Sequence, residues 1–109
     1  MNHELSILLT SAGDKETAEF LARGLIKAKL AACVQISAKG WSYYQWQGKL
    51  QCEKEYYLHI KTCKFKLEAA TNWLKKNHPY EVAEIICLAA TAEQAYADWV
   101  KSELTPIHE

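Results

Sequence analysis

An aromatic hairpin in the middle of the chain constrains the fold more than any other segment. Three large aromatic rings lie within residues 43–46, and Gln47-Gly48-Lys49 follows them as a turn. Gly48 can adopt the positive φ that a tight hairpin turn requires. Beyond the turn, residues 55–62 alternate between polar and apolar side chains, which is typical of a half-buried strand. The pattern predicts two long antiparallel strands.

The length of these strands indicates that the hairpin needs a partner. A strand of about 14 residues is roughly 46 Å long, whereas a compact domain of this size is about 35 Å across. Exposed aromatic arms would promote aggregation if nothing covered them, and closed homo-oligomers are the common solution. In the alternative, Gly40 bends the first arm back and the rings fill the chain's own core. Under the first interpretation, the interface residues are Tyr43, Tyr44, Trp46 and Tyr56.

The remaining elements follow from apolar periodicity and capping residues. The pattern predicts strands over residues 5–10, 30–46 and 84–90, with Gly40 at a bulge or bend. It predicts a helix capped by Asp14, a second over residues 65–76 that Pro79 terminates, and a third opened by a capping box at Thr91. We expect the first helix to bury Ala18, Leu21, Ala22, Leu25 and Ile26, the second Leu67, Ala70, Trp73 and Leu74, and the third Tyr96, Trp99 and Val100.

This β-α-β-β-α-β order with a final helix indicates the α+β class and a ferredoxin-like sandwich with a long central hairpin. The 109 residues form one predicted domain, residues 1–109. Thirteen basic residues balance thirteen acidic ones, so the charge gives no indication of a nucleic-acid partner. The chain has no apolar run long enough to span a bilayer, and Met1–Thr10 lacks the pattern of a secretion signal. We therefore expect a cytoplasmic protein without a membrane partner.

The reactive side chains give no pattern of a known catalytic site. The four cysteines form no C-x-x-C pair, and we expect Cys33 and Cys87 to be small buried residues. No nucleotide-binding glycine loop, catalytic triad or zinc-protease motif occurs, so we do not expect an enzyme. His78 is a candidate metal ligand, although a backbone hydrogen bond at the end of the second helix is the alternative role.

Five segments together resemble the CutA family of divalent-cation tolerance proteins. They occur in the family's order and spacing and extend from about Ile7 to Val100. The resemblance implies a homotrimer built by the long strands, similar in architecture to PII-type signalling proteins, and an association with copper or another divalent cation in the bacterial cytoplasm. The matching segments are Leu30-Ala31-Ala32-Cys33-Val34, residues 42–48, Lys61-Thr62, His78-Pro79-Tyr80-Glu81-Val82 with Glu84-Ile85, and residues 96–100.

The chain departs from the family pattern at three positions. Ala83 stands where the family usually has proline. Leu9 and Asn77 stand where some members carry a cysteine and the first of two histidines, which have been proposed to bind copper. Of that ligand set, this chain keeps only His78.

The resemblance also favours a crevice between subunits as the functional site. Glu55 and Lys61 lie on one face of the same predicted strand, where Glu55 would hold a cation and Lys61 an anion. We therefore predict a non-enzymatic trimer that binds metal ions or a small ligand between subunits. The alternatives are a PII-like signalling or scaffold trimer without metal binding, and an enzyme acting on a small anionic metabolite. The predicted cleft residues are Glu55, Lys61, Tyr80, Glu84 and Trp99, with His78 as metal ligand.

Overall fold

The computed structural model describes residues 3–106 and contains one antiparallel sheet with the strand order β2-β3-β1-β4. The elements follow the predicted β-α-β-β-α-β order, and a third helix follows the last strand. The α+β, ferredoxin-like fold class is therefore confirmed. The elements are β1 (Glu4–Ala12), α1 (Lys15–Lys27), β2 (Cys33–Trp46), β3 (Lys49–Thr62), a 3₁₀ turn (Lys64–Lys66), α2 (Leu67–Asn77), β4 (Ile86–Thr91) and α3 (Gln94–Leu104).

The main core lies between the sheet and the helices α1 and α2. The register places Leu8 of β1 opposite Ile60 of β3, and both side chains are fully buried. Leu21 and Leu25 of α1 and Leu74 of α2 belong to the same buried cluster. A second, smaller cluster joins α3 to the sheet, and its buried residues are Leu5, Cys63, Ala97, Val100 and Leu104.

Helix α1 begins at the predicted residue. The Asp14 carboxylate accepts a hydrogen bond of 2.7 Å from the backbone N–H of Thr17, one of the donors that the first helical turn leaves unpaired. The predicted apolar face holds for Leu21 and Leu25 but is wrong for Ile26, which is 41 % exposed. Ile26 follows the fully buried Leu25, and one residue turns a helix by about 100°, so its side chain lies at the edge of the buried face.

Helix α3 differs from its prediction in both its cap and its buried face. The capping residue is Glu93 rather than Thr91, and its carboxylate accepts hydrogen bonds from the backbone N–H groups of Ala95 and Tyr96. Val100 is buried as expected, but Tyr96 and Trp99 are 37 % and 43 % exposed. The helix buries its small and aliphatic residues against the second cluster, and its two rings pack against each other on the open side.

The last strand also corrects a prediction about the cysteines. Cys87 is exposed, because β4 is an edge strand of the sheet and pairs only through β1. Cys33 is half-buried, and Cys63 is the buried cysteine. The buried cysteine, Cys63, was one of the two, with Cys52, that the sequence pattern had left unassigned, and Cys52 is exposed.

The central hairpin extends well past the body of the domain. β2 and β3 have 14 residues each and stay paired from Cys33↔Lys61 to Trp46↔Lys49. Gln47 and Gly48 form the turn with φ angles of 53° and 79°, the combination that suits a two-residue hairpin loop. The described residues measure 53 × 28 × 22 Å. The alternative in which the first arm folds back into the core is therefore wrong.

A bulge in β2 decides which side chains share a face of the hairpin. The register shifts between Ser37 and Gly40, so that two residues of β2 lie opposite one residue of β3. Residues 42, 44 and 46 thereby lie on the same face as residues 51, 53 and 55 of β3. A Cβ atom at position 40 would lie 2.6 Å from the hydroxyl oxygen of Tyr57, so any larger residue there would force the Tyr57 ring to move.

Candidate ligand cleft

A cleft with a volume of about 740 Å³ lies where the hairpin leaves the body of the domain. β1 contributes Ser11 at its end, and the bulge turns the far half of β2 towards the same side. The loop between α2 and β4 closes the opposite wall. The lining residues are Ser11, Ser42, Tyr43, Tyr44, Trp46, Gln51, Glu53, Glu55, Tyr80, Glu81, Val82 and Glu84.

Glu55 is the most buried carboxylate of this cleft. Its side chain is only 7 % exposed, and Oε2 has no hydrogen-bond partner. Burial raises the pKa of the Glu55 carboxyl, and the charges of Glu84 and Glu53 raise it further. Hydrogen bonding with the Ser11 and Ser42 side chains opposes this rise. Burial of a carboxylate with an unpaired oxygen lowers the stability of the fold. The same oxygen is a strong hydrogen-bond acceptor for a positively charged ligand.

This burial predicts a pH-dependent gain in stability for Glu55→Gln. The folded-state pKa lies above the unfolded value of 4.5, so the carboxyl destabilises the fold fully above the folded pKa and not at all below pH 4.5. We expect Glu55→Gln to raise the free energy of unfolding at pH 7 by on the order of 1 kcal/mol. The gain should disappear as the pH falls to about 4, since both side chains are then neutral. Urea denaturation of ligand-free protein at the two pH values measures both effects.

The control for this experiment is Glu103→Gln, since Glu103 is exposed on α3 and does not line the cleft. Its effect should stay within about 0.5 kcal/mol at either pH. A lower stability of Glu55→Gln at pH 7 would contradict the prediction, because it would show that the hydrogen bonds of the carboxylate with Ser11 and Ser42 outweigh the cost of burying its charge.

Two tyrosines define the walls beside Glu55. The Tyr44 hydroxyl donates a hydrogen bond of 2.9 Å to Glu53 Oε1, which raises the pKa of Tyr44. Burial, followed by the charges of Glu55 and Glu53, raises the pKa of Tyr80 to about 12. The Tyr80 hydroxyl lies so close to Gly13 that a Cβ atom there would approach it to 2.8 Å. Both phenols therefore stay neutral near pH 7.

His78 supports the loop of the cleft from within the protein. It is 7 % exposed, its Nδ1 accepts a hydrogen bond of 3.1 Å from the Tyr80 backbone N–H, and its Nε2 lies 2.7 Å from the carbonyl oxygen of Ser11. The ring is therefore a neutral tautomer that donates through Nε2. Both ring nitrogens therefore contact backbone groups, which agrees with the alternative role stated for His78. A metal ion could bind the ring only by displacing one of these two hydrogen bonds.

The structure brings together only part of the predicted site. Glu55, Tyr80 and Glu84 line the cleft, as do the predicted interface residues Tyr43, Tyr44 and Trp46. Lys61, Trp99 and Tyr56 do not line it. The Lys61 ammonium donates to Gln35 Oε1, Trp99 packs beside Tyr96 on α3, and Tyr56 packs partly against the core of its own chain.

The sequence pattern had not singled out Ser11, Ser42, Gln51, Glu53 or Val82 as cleft residues. Glu53 could have been found from the alternation of β3, because it lies two residues before Glu55 and must share its face. Ser42 could not, since its face depends on the bulge at residues 37–40. Ser11 comes from a distant strand and gives no local signal.

The donor chemistry of the cleft favours cations. Four carboxylates line it, and no lysine, arginine or histidine does. Within residues 3–106, no three histidine, cysteine, aspartate or glutamate side chains are grouped closely enough to hold a metal ion.

Between residues 3 and 106, no helix has the length and apolar character needed to cross a membrane.

Comparison with known proteins places the chain among the CutA proteins. The family model described as CutA1 divalent ion tolerance protein matches residues 6–103. The chain is 39 % identical over 97 residues to the Protein CutA homolog of Xenopus laevis, 36 % over 97 residues to the chloroplastic Protein CutA of Arabidopsis thaliana, and 34 % over 102 residues to the divalent-cation tolerance protein CutA of Salmonella newport. These matches include 88 %, 88 % and 93 % of this chain. They span 64 %, 53 % and 89 % of the relatives, so the match covers less than two thirds of the length of the first two.

Solved structures agree with this result. CutA from Synechococcus elongatus superimposes with a TM-score of 0.87 at 36 % identity, covering 95 % of this chain and 93 % of that one. CutA from Xylella fastidiosa gives a TM-score of 0.90 at 31 % identity, covering 93 % and 98 %. Since the family model covers nearly the whole chain and the fold matches over the same length, the protein belongs to the CutA1 divalent ion tolerance family.

Proposed function

We propose that this chain forms a homotrimer that binds divalent cations, copper among them, or a small cationic ligand in clefts between its subunits. The observation that carries the proposal is Glu55, whose carboxylate is buried in an acidic cleft with one oxygen unpaired. The family's name for divalent ion tolerance agrees with a cation as the ligand. Tolerance would then follow from sequestration of the ion or from a signal that its binding starts.

The trimer is supported by the hairpin, which places rings in solvent when the chain is alone. Trp46 and Tyr44 are 42 % and 39 % exposed, and Tyr43 is 71 % exposed. Such a concentration of exposed aromatic surface next to an acidic cleft is typical of an interface. A neighbouring subunit that covers the hairpin would complete the open side of the cleft.

We propose a binding protein rather than an enzyme. An enzyme acting on an anionic metabolite would need a cationic group in the cleft, and Lys61 does not line it. The relatives reported above are named for divalent-cation tolerance or simply as CutA proteins, and none of these names states a reaction.

Titration calorimetry of the metal-free protein with copper, zinc and magnesium salts tests this function. We expect a saturable heat for at least one ion, weakened about tenfold or more by Glu55→Gln, since that change removes a charged ligand. His78→Ala should weaken binding less, because both ring nitrogens already serve the backbone. The absence of heat for all three metal salts and for the organic cation putrescine would refute the proposal.

We also propose that the protein works in the cytoplasm. All four cysteines are free thiols, which suits a reducing compartment. Its relatives carry names for other compartments, chloroplastic for the Arabidopsis thaliana protein and periplasmic for the Archaeoglobus fulgidus structure. Cell fractionation with detection of the native protein tests this location, and recovery outside the cytoplasmic fraction would contradict it.

A further inference from the structure

We propose that the ligand of the acidic cleft is an organic ammonium ion, an amine-bearing small molecule rather than a bare metal ion. This inference rests on the proposed function, because it names the class of cation that the same cleft takes. Three features of the cleft support it: its charge, its aromatic walls and its size.

The negative charge of the cleft favours a cationic ligand that can donate hydrogen bonds. Glu53, Glu55, Glu81 and Glu84 line it, and the described lining contains no basic side chain. Glu55 Oε2 is buried without a partner. An ammonium group would both neutralise this carboxylate and donate to the free oxygen, and such charge-assisted hydrogen bonds are about twice as strong as neutral ones.

The aromatic walls suit a cation that carries carbon atoms. Tyr44, Trp46 and Tyr80 line the same cleft as the carboxylates. The faces of such rings attract ammonium groups, and their apolar surface packs against attached methylene groups. The phenol of Tyr80 stays neutral because its pKa is raised to about 12, so the ring adds no negative charge of its own. A hydrated metal ion gains nothing from methylene-binding surface.

The size of the cleft also fits a molecule better than an ion. In the isolated chain its volume of about 740 Å³ lies within the range of roughly 300–1,000 Å³ that is usual for small-molecule sites, and a neighbouring subunit over its open side would narrow it. A metal ion needs several ligands within about 2.0–2.6 Å of one point. No such group of three acidic, histidine or cysteine side chains occurs between residues 3 and 106. The carboxylates are therefore spread along the cleft, as suits a ligand with separated contacts.

Calorimetry with putrescine as the probe tests the inference on the full-length protein in its assembled state. We expect saturable binding of putrescine and no binding of butane-1,4-diol, its neutral analogue of similar shape. Glu55→Gln should raise the Kd of putrescine by about tenfold or more, which corresponds to the loss of one charge-assisted hydrogen bond. Glu103→Gln, on the exposed side of α3, should leave the Kd unchanged.

The aromatic contribution has its own pair of variants. Tyr80→Phe keeps the ring, and its Kd for putrescine should stay within about threefold of the wild type. Tyr80→Leu should bind putrescine several-fold more weakly, since a cation–π contact contributes about 0.5–2 kcal/mol.

Should Glu55→Gln fail to fold, Glu84→Gln replaces it, because Glu84 is an exposed carboxylate of the same cleft. Its expected effect is a weakening of a few-fold.

The outcomes separate this inference from the proposed function. Binding of a metal salt without binding of putrescine would overturn the inference and leave the proposed function intact. Binding of neither would overturn both. Equal binding of putrescine and the diol, or putrescine binding that the carboxylate variants leave unchanged, would also overturn the inference. Putrescine binding that depends on Glu55 and on the ring at position 80 would confirm it.

Discussion

Replacing Trp46 by serine is expected to convert the assembled protein into single chains at micromolar concentration. Trp46 lies at the end of β2, next to the hairpin turn, and 42 % of its surface is exposed in the isolated chain. A tryptophan that becomes buried in an interface commonly contributes about 2 kcal/mol or more. A closed trimer has three equivalent interfaces, so the loss adds to about 6 kcal/mol, on the order of 10⁴ in the equilibrium between trimer and monomer.

Light scattering after size-exclusion chromatography measures this change, and Phe20→Ser is the matched control. Phe20 is even more exposed than Trp46, at 55 %, but it lies on α1 and stacks on Trp73 of its own chain. We expect this control to keep the wild-type mass. A Trp46→Ser protein with the wild-type mass would show that the tip of the hairpin does not contribute to the interface.

Leu25→Ala is expected to cost about 2–5 kcal/mol of folding free energy, whereas Ile26→Ala costs less than about 1 kcal/mol. The two residues are neighbours on α1, and the apolar pattern predicted that both would be buried. Leu25 is fully buried in the main core, so its truncation leaves a cavity there. Ile26 is 41 % exposed and loses little contact.

Urea denaturation at one fixed protein concentration compares the two variants, because unfolding of an oligomer depends on concentration. The difference between them should be at least about 1 kcal/mol in the stated direction. Equal losses of stability would mean that Ile26 is buried in the assembled protein, and would thus correct the exposure seen in the isolated chain.

Local patterns in the sequence predicted most of the fold because they reflect local physical constraints. Gly48 follows from the positive φ of its turn, and Asp14 follows from the unpaired donors at the start of α1. The alternation from Glu55 to Thr62 correctly separated the core-facing side chains of Leu58 and Ile60 from the opposite face. The order of these elements then left few topologies open.

The predictions of burial were wrong where the exposure of a side chain depends on whether another helix or strand packs over it. Cys87 has the apolar neighbours of a core residue but lies on an edge strand. Tyr96 and Trp99 have helical spacing with Val100, yet α3 turns its small residues to the core and leaves both rings half-exposed. Neither arrangement has a signature in the local sequence.

The cleft was only partly predictable for a related reason. Glu55, Tyr80 and Glu84 were identified with the help of a family resemblance, and they do lie together. Lys61 shares a strand face with Glu55, but six residues along a strand separate them by about 20 Å. The contribution of Ser42 depends on one bulge, because a single extra residue changes which side chains face the cleft.

If the hairpin assembles three chains and so completes the cation-binding clefts, the protein is a trimer in solution. Sedimentation equilibrium of the unmodified protein at micromolar concentration tests it most directly. We expect a single species of three 12.4 kDa chains, about 37 kDa. A mass of 12.4 kDa that persists as the protein concentration rises would contradict it.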